Sequence, residues 1–574
     1  MKRSNLENKF YKNRSSENSK VLKKHKNYCN RLYKRERRNF YSHINLNDIS
    51  DNKKFWSTVN PLFSNKGETK DNIILVCGDN IISDDIEVAQ TFNDFFKNCI
   101  NSLNISENKL LLTKTTEILG SVNESIKKFE HHPSIRSINE NVEIELRFLF
   151  SRVTADDIRQ EIKNLNSKKS GTFMNIPIKQ LKHTVDIICE PLMCIWNDEI
   201  VQGKKFATKL KLADISPIHK KLETILVDNY RPISILPAVS KFFERIMQKQ
   251  INSFIERYLS PFLCGYRKGH SSQYALLAMV EQWKLSLDNN GFSGGTLMDL
   301  SKAFDTINHQ LLIAKLYAYG FSKEALEIIL NYLSDRWHRT KINTAFSTWS
   351  EVLGGVPQGS VLGPLFFNIY LNDMFYEFSN TNVCNLADDT TLYACDINLP
   401  TLLSNLEYDT MSAIVWFEAN YMKLNKNKCH FLLAGHTPEC LWVKVGEELI
   451  WESSNEKLLG LTIDKKLNFN KHLSILCKKI SGKVSALARM VKIIPFNKKR
   501  LLLKTFIESQ FSYCPLIWMF CSRKMNRKIN HIHERALRLV YEDYTTSFKD
   551  LLLRDRSVSI HHRIFKKLRL KCSR

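Results

Sequence analysis

The stretch Asn385-Leu386-Ala387-Asp388-Asp389-Thr390-Thr391-Leu392-Tyr393 sets two adjacent carboxylates among apolar and β-branched residues. Along an extended strand successive side chains point to opposite faces, so Asp388 and Asp389 share one site only at a bend, such as a hairpin tip. A bend that presents paired carboxylates offers hard oxygen ligands, which suit Mg²⁺ and the phosphates it carries. An isolated Asp-Asp is a weak signal, since it is most often a solvated turn. The rest of the chain must supply the partners.

Working outward, Gly294-Gly295-Thr296-Leu297-Met298-Asp299 is a short apolar strand that delivers Asp299 at its C-terminal end. A carboxylate in that place must be solvated, paired or metal-bound. Asp305 follows, just before Ile307, Leu311, Leu312 and Leu316 at helical spacing, and reads as the N-cap of that helix. Between the two carboxylate elements lies Gly354-Gly355-Val356-Pro357-Gln358-Gly359-Ser360, then a helix with Pro364 in its first turn. Gly355 and Gly359 permit close backbone approach, and Gln358 offers an amide donor and acceptor.

The 574 residues include 84 Lys and Arg against 59 acids, a net charge of +25. Such an excess points to a polyanionic partner, nucleic acid or an anionic membrane surface. No apolar run approaches the roughly 18 residues that span a bilayer, and no signal-peptide core is present, so nucleic acid is the better reading. The 14 Cys form no C-x-x-C pair and no zinc spacing, which fits reduced thiols.

Lys20 to Arg38 is basic with interleaved Tyr28, Leu32 and Tyr33, and its spacing allows a helix. It reads as a solvated basic helix, a nucleic-acid backbone arm or a nuclear import signal. A helix is expected from Asp85 to Leu103, and a polar, linker-like segment from about Lys109 to Asn141. Thr154 can cap a helix running through Ile158, Ile162 and Leu165. Ile215 to Lys221 looks like a strand ending in a basic turn. Asn229 to Ser234 looks like a second strand, with Pro232 biasing Arg231 away from helix. Lysine and a guanidinium on such a flap can grip a triphosphate, or be ordinary surface charge. Further helices are expected from Val239 to about Tyr258, from Gln273 to Leu287 and from Lys323 to Leu333. The basic turn Cys264 to Ser272 is not a P-loop, since no Lys-Ser/Thr follows its second glycine.

The ordered set MDLSKAFDTINH (298–309), GGVPQGSVLGPLFFNIYLND (354–373) and LADDTTLY (386–393) resembles motifs A, B and C of reverse transcriptases. The stretches NYRPISILPAVSKFFERI, CGYRKGHSSQYAL, MKLNKNKCHFLLAG and EKLLGLTIDKKLNFNKHL are similar to those of jockey-like, non-LTR retrotransposon enzymes. The likeness runs from about Glu145 to the C-terminus.

The resemblance implies an α+β, right-hand polymerase fold of fingers, palm and thumb, the palm an antiparallel sheet backed by helices. It divides the chain into a basic helical N-terminal region and linker (1–145), a fingers and palm core (146–464) and a basic helical thumb (465–574). The implied activity is RNA-directed DNA polymerisation, extending a DNA 3′-hydroxyl on an RNA template with dNTPs. Asp299, Asp388 and Asp389 would hold two Mg²⁺, with Mn²⁺ as a substitute, for in-line nucleotidyl transfer. Phe304 matches the steric gate that excludes a ribose 2′-hydroxyl. Lys220 or Lys221, and Arg231, match fingertip groups on the triphosphate, and Gln358 and Gly359 the loop beneath the nascent pair. Lys428 resembles the lysine proposed to protonate pyrophosphate, and is otherwise a surface lysine. Leu459-Gly460-Leu461 resembles the primer grip. Arg267, Lys268, Arg523, Lys524, Arg527 and Lys528 are candidate nucleic-acid contacts, the last four on a thumb. The expected compartments are nucleus and cytoplasm, with no membrane partner.

Two positions depart from the family's pattern. Leu386 replaces the aromatic usual before Ala-Asp-Asp, and KKSGTFMNIP (168–177) replaces a Gly-Pro-Asp-Gly-like loop. The endonuclease that normally precedes this region is missing from the sequence, so target nicking is expected from elsewhere or from a longer parent chain. The competing expectation is a decayed or repurposed copy that binds RNA or hybrid duplex without catalysis.

Overall fold

The computed structural model describes residues 16–42, 52–63, 73–78, 80–98, 121–166, 176–220, 223–435, 440–492, 494–519, 521–560 and 562–564. The chain divides into two compact units, residues 71–469 and residues 1–70 with 470–574.

The larger unit mixes helices with two main sheets. One is a four-stranded antiparallel sheet in the order Asn382–Leu386, Asp389–Asp396, Phe292–Met298, His430–Ala434. Its central strand, Phe292–Met298, is buried at nearly every position, as the apolar and glycine-rich sequence requires. The helices Ser272–Asp288 and Leu399–Ala419 back this sheet. The other sheet pairs Leu212–His219 antiparallel with Tyr230–Ile235 and parallel with Arg336–Ile342. Its strands Leu212–His219 and Tyr230–Ile235 are those expected around Ile215 and Arg231. Pro217 and Pro232 stand opposite each other in the register, so neither removes a donor that the other needs.

Most expected helices are present: Ala238–Ile255, Ser272–Asp288, Lys323–Leu333 and Gly363–Leu371. Thr154 caps Ala155–Lys163 through a reciprocal box with Asp157. The helix expected from Asp85 is described as Asp85–Asn98; residues 99–103 lie outside the described residues.

Two expectations are corrected. The segment read as linker-like carries the helices Val122–Lys128 and Pro133–Asn141, while residues 109–120 lie outside the described residues. Val122, Phe129, Ile135 and Ile138 join the main core, and so short an apolar set is diluted by polar neighbours in the sequence. The helix after Asp305 is His309–Ala318, and its cap is Asn308, whose Oδ1 accepts from Leu311 N at 3.0 Å. Asp305 lies three residues too early to reach those donors.

The core of this unit encloses an ion pair. Lys315 Nζ donates to Asp373 Oδ1 at 2.6 Å and to the Tyr370 carbonyl at 2.8 Å, and Trp416 Nε1 donates to Asp373 Oδ2 at 2.7 Å. The rings of Tyr370 and Trp416 both lie 4.6 Å from the ammonium. Burial still draws the Lys315 pKa down to about 8.

In the smaller unit the helix Ser16–Ser42 contains the basic run expected there. Helix Asn52–Phe63 packs on Asn470–Met490, and Phe63 stacks on Phe506 with centroids 4.5 Å apart. Helix Arg523–Tyr541 buries Met525, Ile529, Ile532, Ala536, Leu537 and Val540, and turns its cations outward. Among the described residues no helix is long and apolar enough to cross a membrane.

Asp373→Ala leaves the Lys315 ammonium buried without a counter-charge and is expected to lower the unfolding free energy by about 3–5 kcal/mol. The measurement is the shift in urea midpoint against wild type; a shift corresponding to under about 1 kcal/mol contradicts the reading of a closed, desolvated pair.

Candidate active site

Asp388 and Asp389 lie at the tip of the hairpin formed by Asn382–Leu386 and Asp389–Asp396, closed by the pair Leu386↔Asp389. Ala387 takes the first turn position with φ +60°, a conformation usually left to glycine, at a cost on the order of 1–3 kcal/mol. Neighbours hold the turn in that shape. Asn385 Nδ2 donates to the Ala387 carbonyl at 3.0 Å and to Thr390 Oγ1 at 2.9 Å. Gly265 abuts the tip so closely that a Cβ there would lie 2.5 Å from Ala387 N. Asn368 Nδ2 in turn donates to the Gly265 carbonyl at 2.7 Å.

The register Thr390↔Met298 carries Asp389 beside Asp299 on the next strand. The third side chain of the expected triad thus arrives at the same sheet end from about ninety residues earlier. Asp299 also has a cationic partner: Lys428 Nζ lies 2.7 Å from its Oδ2. That contact is built by the backbone. Lys423–Leu424 pairs with Leu300–Ser301, Asn425 N donates to the Asp299 carbonyl at 2.8 Å, and one short turn then delivers Lys428.

The charge is crowded. Burial raises the Asp388 carboxyl above its ordinary pKa, with the Asp299 charge adding to the rise. Burial and the charges of Asp388 and Asp299 together push Asp389 up to about 6. Lys428 and Arg231 act in the opposite direction on both. Burial lowers the Lys220 ammonium, and the nearby cations Arg231 and Lys428 lower it further. Arg231 and Lys428 thus lie near the carboxylates, and Lys220 lies near those two cations. Lys221 lies outside the described residues, so the choice between it and Lys220 is not made by the structure.

The three carboxylates suit a hard divalent cation, because they are oxygen donors whose mutual repulsion a cation relieves. Among the described residues no three His, Cys, Asp or Glu side chains already converge on one point, and Asp299 is turned onto Lys428 instead.

The remaining expected residues lie in different surroundings. Phe304 stacks on Phe367, with centroids 4.6 Å apart, and meets the edge of Tyr266 at 6.0 Å. Gln358 and Gly359 lie against the strand Tyr230–Ile235: Ser234 N donates to the Gln358 carbonyl at 2.7 Å, and a Cβ on Gly359 would meet the Ser234 oxygen at 2.6 Å. Gly460 turns the hairpin of Asn455–Leu458 and Leu461–Asp464 with φ +86°. Lys268 is exposed, and so are Arg523, Lys524, Arg527 and Lys528 in the smaller unit. Arg267 differs from expectation. Its guanidinium is turned inward, donating to Glu256 Oε1 at 2.8 Å and to the carbonyls of Ser260 and Leu263, and it clamps the turn that carries Gly265. The KKSGTFMNIP departure lies almost wholly outside the described residues.

Sequence reasoning missed Tyr266, whose own pKa is raised by burial and by the charge of Asp388. It also mistook the role of Asp305, whose oxygens both accept from Gln358 Nε2 at 3.2 Å. A positive φ at Tyr266 and a side-chain pair 53 residues apart leave no local periodicity to detect.

The raised Asp389 pKa has a consequence for stability. The unfolded carboxyl, with its ordinary value of 3.8, ionises before the folded one near 6, so stability falls as pH rises between those values. In metal-free protein Asp389→Asn is therefore expected to be more stable than wild type at pH 7 and to match it near pH 4. Urea unfolding at the two pH values checks this, and an equal difference at both would contradict it.

Comparison with known proteins agrees with this geometry. The reverse transcriptase (RNA-dependent DNA polymerase) family profile matches residues 218–463. The chain is 24% identical over 449 residues to the RNA-directed DNA polymerase from mobile element jockey of Drosophila melanogaster, across 75% of this chain and 49% of that protein. It is 27% identical over 425 residues to the probable RNA-directed DNA polymerase from transposon BS of the same fly, across 70% of this chain and 46% of the relative. With the probable RNA-directed DNA polymerase from transposon X-element, also of that fly, it shares 28% identity over 381 residues, across 62% and 41%. The chain spans a little under half the length of these curated relatives. The carboxylate hairpin, Asp299 and the Gln358 loop all fall inside residues 218–463, the segment in which this chain is similar to reverse transcriptases.

Proposed function

We propose that this chain is an RNA-directed DNA polymerase of a non-LTR retrotransposon, extending a DNA 3′-hydroxyl on an RNA template with dNTPs. The observation that carries the reading is the meeting of Asp299, Asp388 and Asp389 at one sheet end, with Arg231 and Lys428 beside them. The antiparallel four-stranded sheet backed by helices is the palm in this reading, and the sheet of Leu212–His219 and Tyr230–Ile235 belongs to the fingers. The helices of residues 470–574 supply the thumb, with the outward cations of Arg523–Tyr541 on the nucleic-acid backbone. The outward cations of Ser16–Ser42 make that helix a basic extension with the same use.

Asp299, Asp388 and Asp389 are the residues that would hold divalent ions, two Mg²⁺ by the family's pattern. A divalent ion bound there lowers the pKa of the primer hydroxyl and neutralises charge on the leaving pyrophosphate. The protein's own groups do the rest. Lys220 and Arg231 draw the triphosphate toward the acidic sheet end. Phe304, locked by Phe367 and Tyr266, fills the space a ribose 2′-hydroxyl would need. Gly359 lets the backbone approach the nascent pair. Lys428, released from Asp299, holds a proton within reach of the departing pyrophosphate. Template RNA, primer DNA and dNTPs are the partners, and nucleus and cytoplasm the compartments, that this activity requires.

Primer extension on an RNA template with dNTPs and Mg²⁺ tests the reading, and chelation of the metal should stop the reaction. Asp388→Asn is expected to lower extension at least about a hundredfold without unfolding the protein. Template binding with no extension by folded wild type would overturn the polymerase assignment in favour of a binding role. Phe304→Ala is expected to cut the preference for dNTPs over rNTPs by more than about tenfold, measured as the ratio of kcat/KM values.

A further inference from the structure

Asp305 has no part in the helix cap that its position suggests, and it has no place among the metal-binding carboxylates. Its residue is mostly covered, and it lines a narrow cleft with Ile215, Pro232, Ser234, Val356 and Gln358. Burial there is deep enough to push its carboxyl up to about 6, against the pull of the Gln358 hydrogen bonds, Lys302 and Lys220. A carboxylate kept in such a place has a partner that needs it.

That partner is Gln358. Its Nε2 stands 3.2 Å from both Asp305 oxygens. An ionised carboxylate only accepts hydrogen bonds, so the amide must turn its nitrogen toward Asp305 and its oxygen away. The backbones beneath the two side chains are tied together. Val356 N donates to the Phe304 carbonyl at 2.9 Å, Gly355 N to the Ile307 carbonyl at 3.0 Å, and His309 Nε2 lies 2.6 Å from the Gly355 carbonyl. On the other side Ser234 N holds the Gln358 carbonyl at 2.7 Å. Main chain and amide nitrogen of Gln358 are thus both engaged, and among the described residues its Oε1 has no partner.

We propose that Asp305 is a positioning residue that fixes the Gln358 amide with its nitrogen inward, so that Oε1 is left as a fixed acceptor for a hydrogen-bond donor of the incoming nucleoside triphosphate. The assignment rests on the polymerase reading of the site. Asp305 itself touches no substrate. Its effect is exerted through the orientation of one amide, which a neutral partner would leave free to flip.

The test is a mutant cycle read by nucleotide affinity rather than turnover. Each protein is assembled with an RNA template and a DNA primer ending in a dideoxynucleotide. The next complementary dNTP is then titrated in Mg²⁺ while a fluorescent template base reports binding. Asp305→Asn is expected to weaken dNTP binding about tenfold, the worth of a charge-assisted hydrogen bond. In a Gln358→Ala background the same change should cost nothing further. Gln358→Glu sets two carboxylates against each other and should bind poorly. Adding Asp305→Asn to Gln358→Glu should restore most of the affinity, because the introduced amide can donate to the introduced carboxylate while one acceptor oxygen stays free. Full additivity of Asp305→Asn and Gln358→Ala, or no rescue of Gln358→Glu, would overturn the proposal. Wild type that binds dNTP but fails to extend an unblocked primer would sink the polymerase reading and leave the cycle intact. Wild type that binds no dNTP would overturn both.

Discussion

Three carboxylates at one end of a sheet repel one another, and most of the surrounding structure serves to keep them there. The turn that carries Asp388 and leads into Asp389 closes with Ala387 in a glycine-like backbone conformation. That strain persists because Asn385 ties the turn from within and Gly265 leaves no room for it to relax outward. Asp299 is held to the same end by the pairing of Phe292–Met298 with a strand on either side of it. The crowding is offset by charge of the opposite sign brought from two other segments, at Arg231 and Lys428. Lys428 is tethered through backbone pairing to the residue it neutralises. A divalent cation bound there would relieve the repulsion that remains.

The polar interior away from the site follows a different rule. Lys315, Asp373 and Trp416 satisfy each other completely and exchange nothing with ligand. Glu244, equally buried, accepts from Val361 N and so steadies the segment that follows Gln358. Arg267 does the same for the turn that carries Gly265. Two of the buried charges, Glu244 and Arg267, thus anchor segments that lead to Gln358 and Gly265.

The sequence made the carboxylates legible because their chemistry is local: an Asp-Asp flanked by strand-forming residues, and an Asp ending an apolar run. The strands Leu212–His219 and Tyr230–Ile235 and the helices with clean apolar spacing were legible for the same reason. What stayed hidden depends on distance along the chain. Asp305 looked like a helix cap because the residues around it carry helical spacing, whereas its partner Gln358 lies on another loop. Arg267 looked like a nucleic-acid contact because its neighbours are basic and glycine-flanked, yet three acceptors draw it inward. The helices Val122–Lys128 and Pro133–Asn141 were lost among polar residues because only a few of their side chains reach the core. The docking of Asn52–Phe63 onto helices near the other end of the chain leaves no trace in local sequence at all.

The placing of Phe292–Met298 in the middle of its sheet bears on how the protein is made. Both neighbours of this strand, Asp389–Asp396 and His430–Ala434, follow it in the chain, by about a hundred residues or more. At a translation rate of roughly 5–20 residues per second, on the order of ten seconds separate its synthesis from completion of the second partner. Until Asp389–Asp396 is made the apolar strand has two open edges, and until His430–Ala434 is made it has one, each able to pair with the same strand on a neighbouring nascent chain. Polysomes translating this sequence therefore hold many copies of an adhesive segment at high local concentration. Yield in a heterologous host should depend on elongation speed and on chaperones that cover the strand during synthesis.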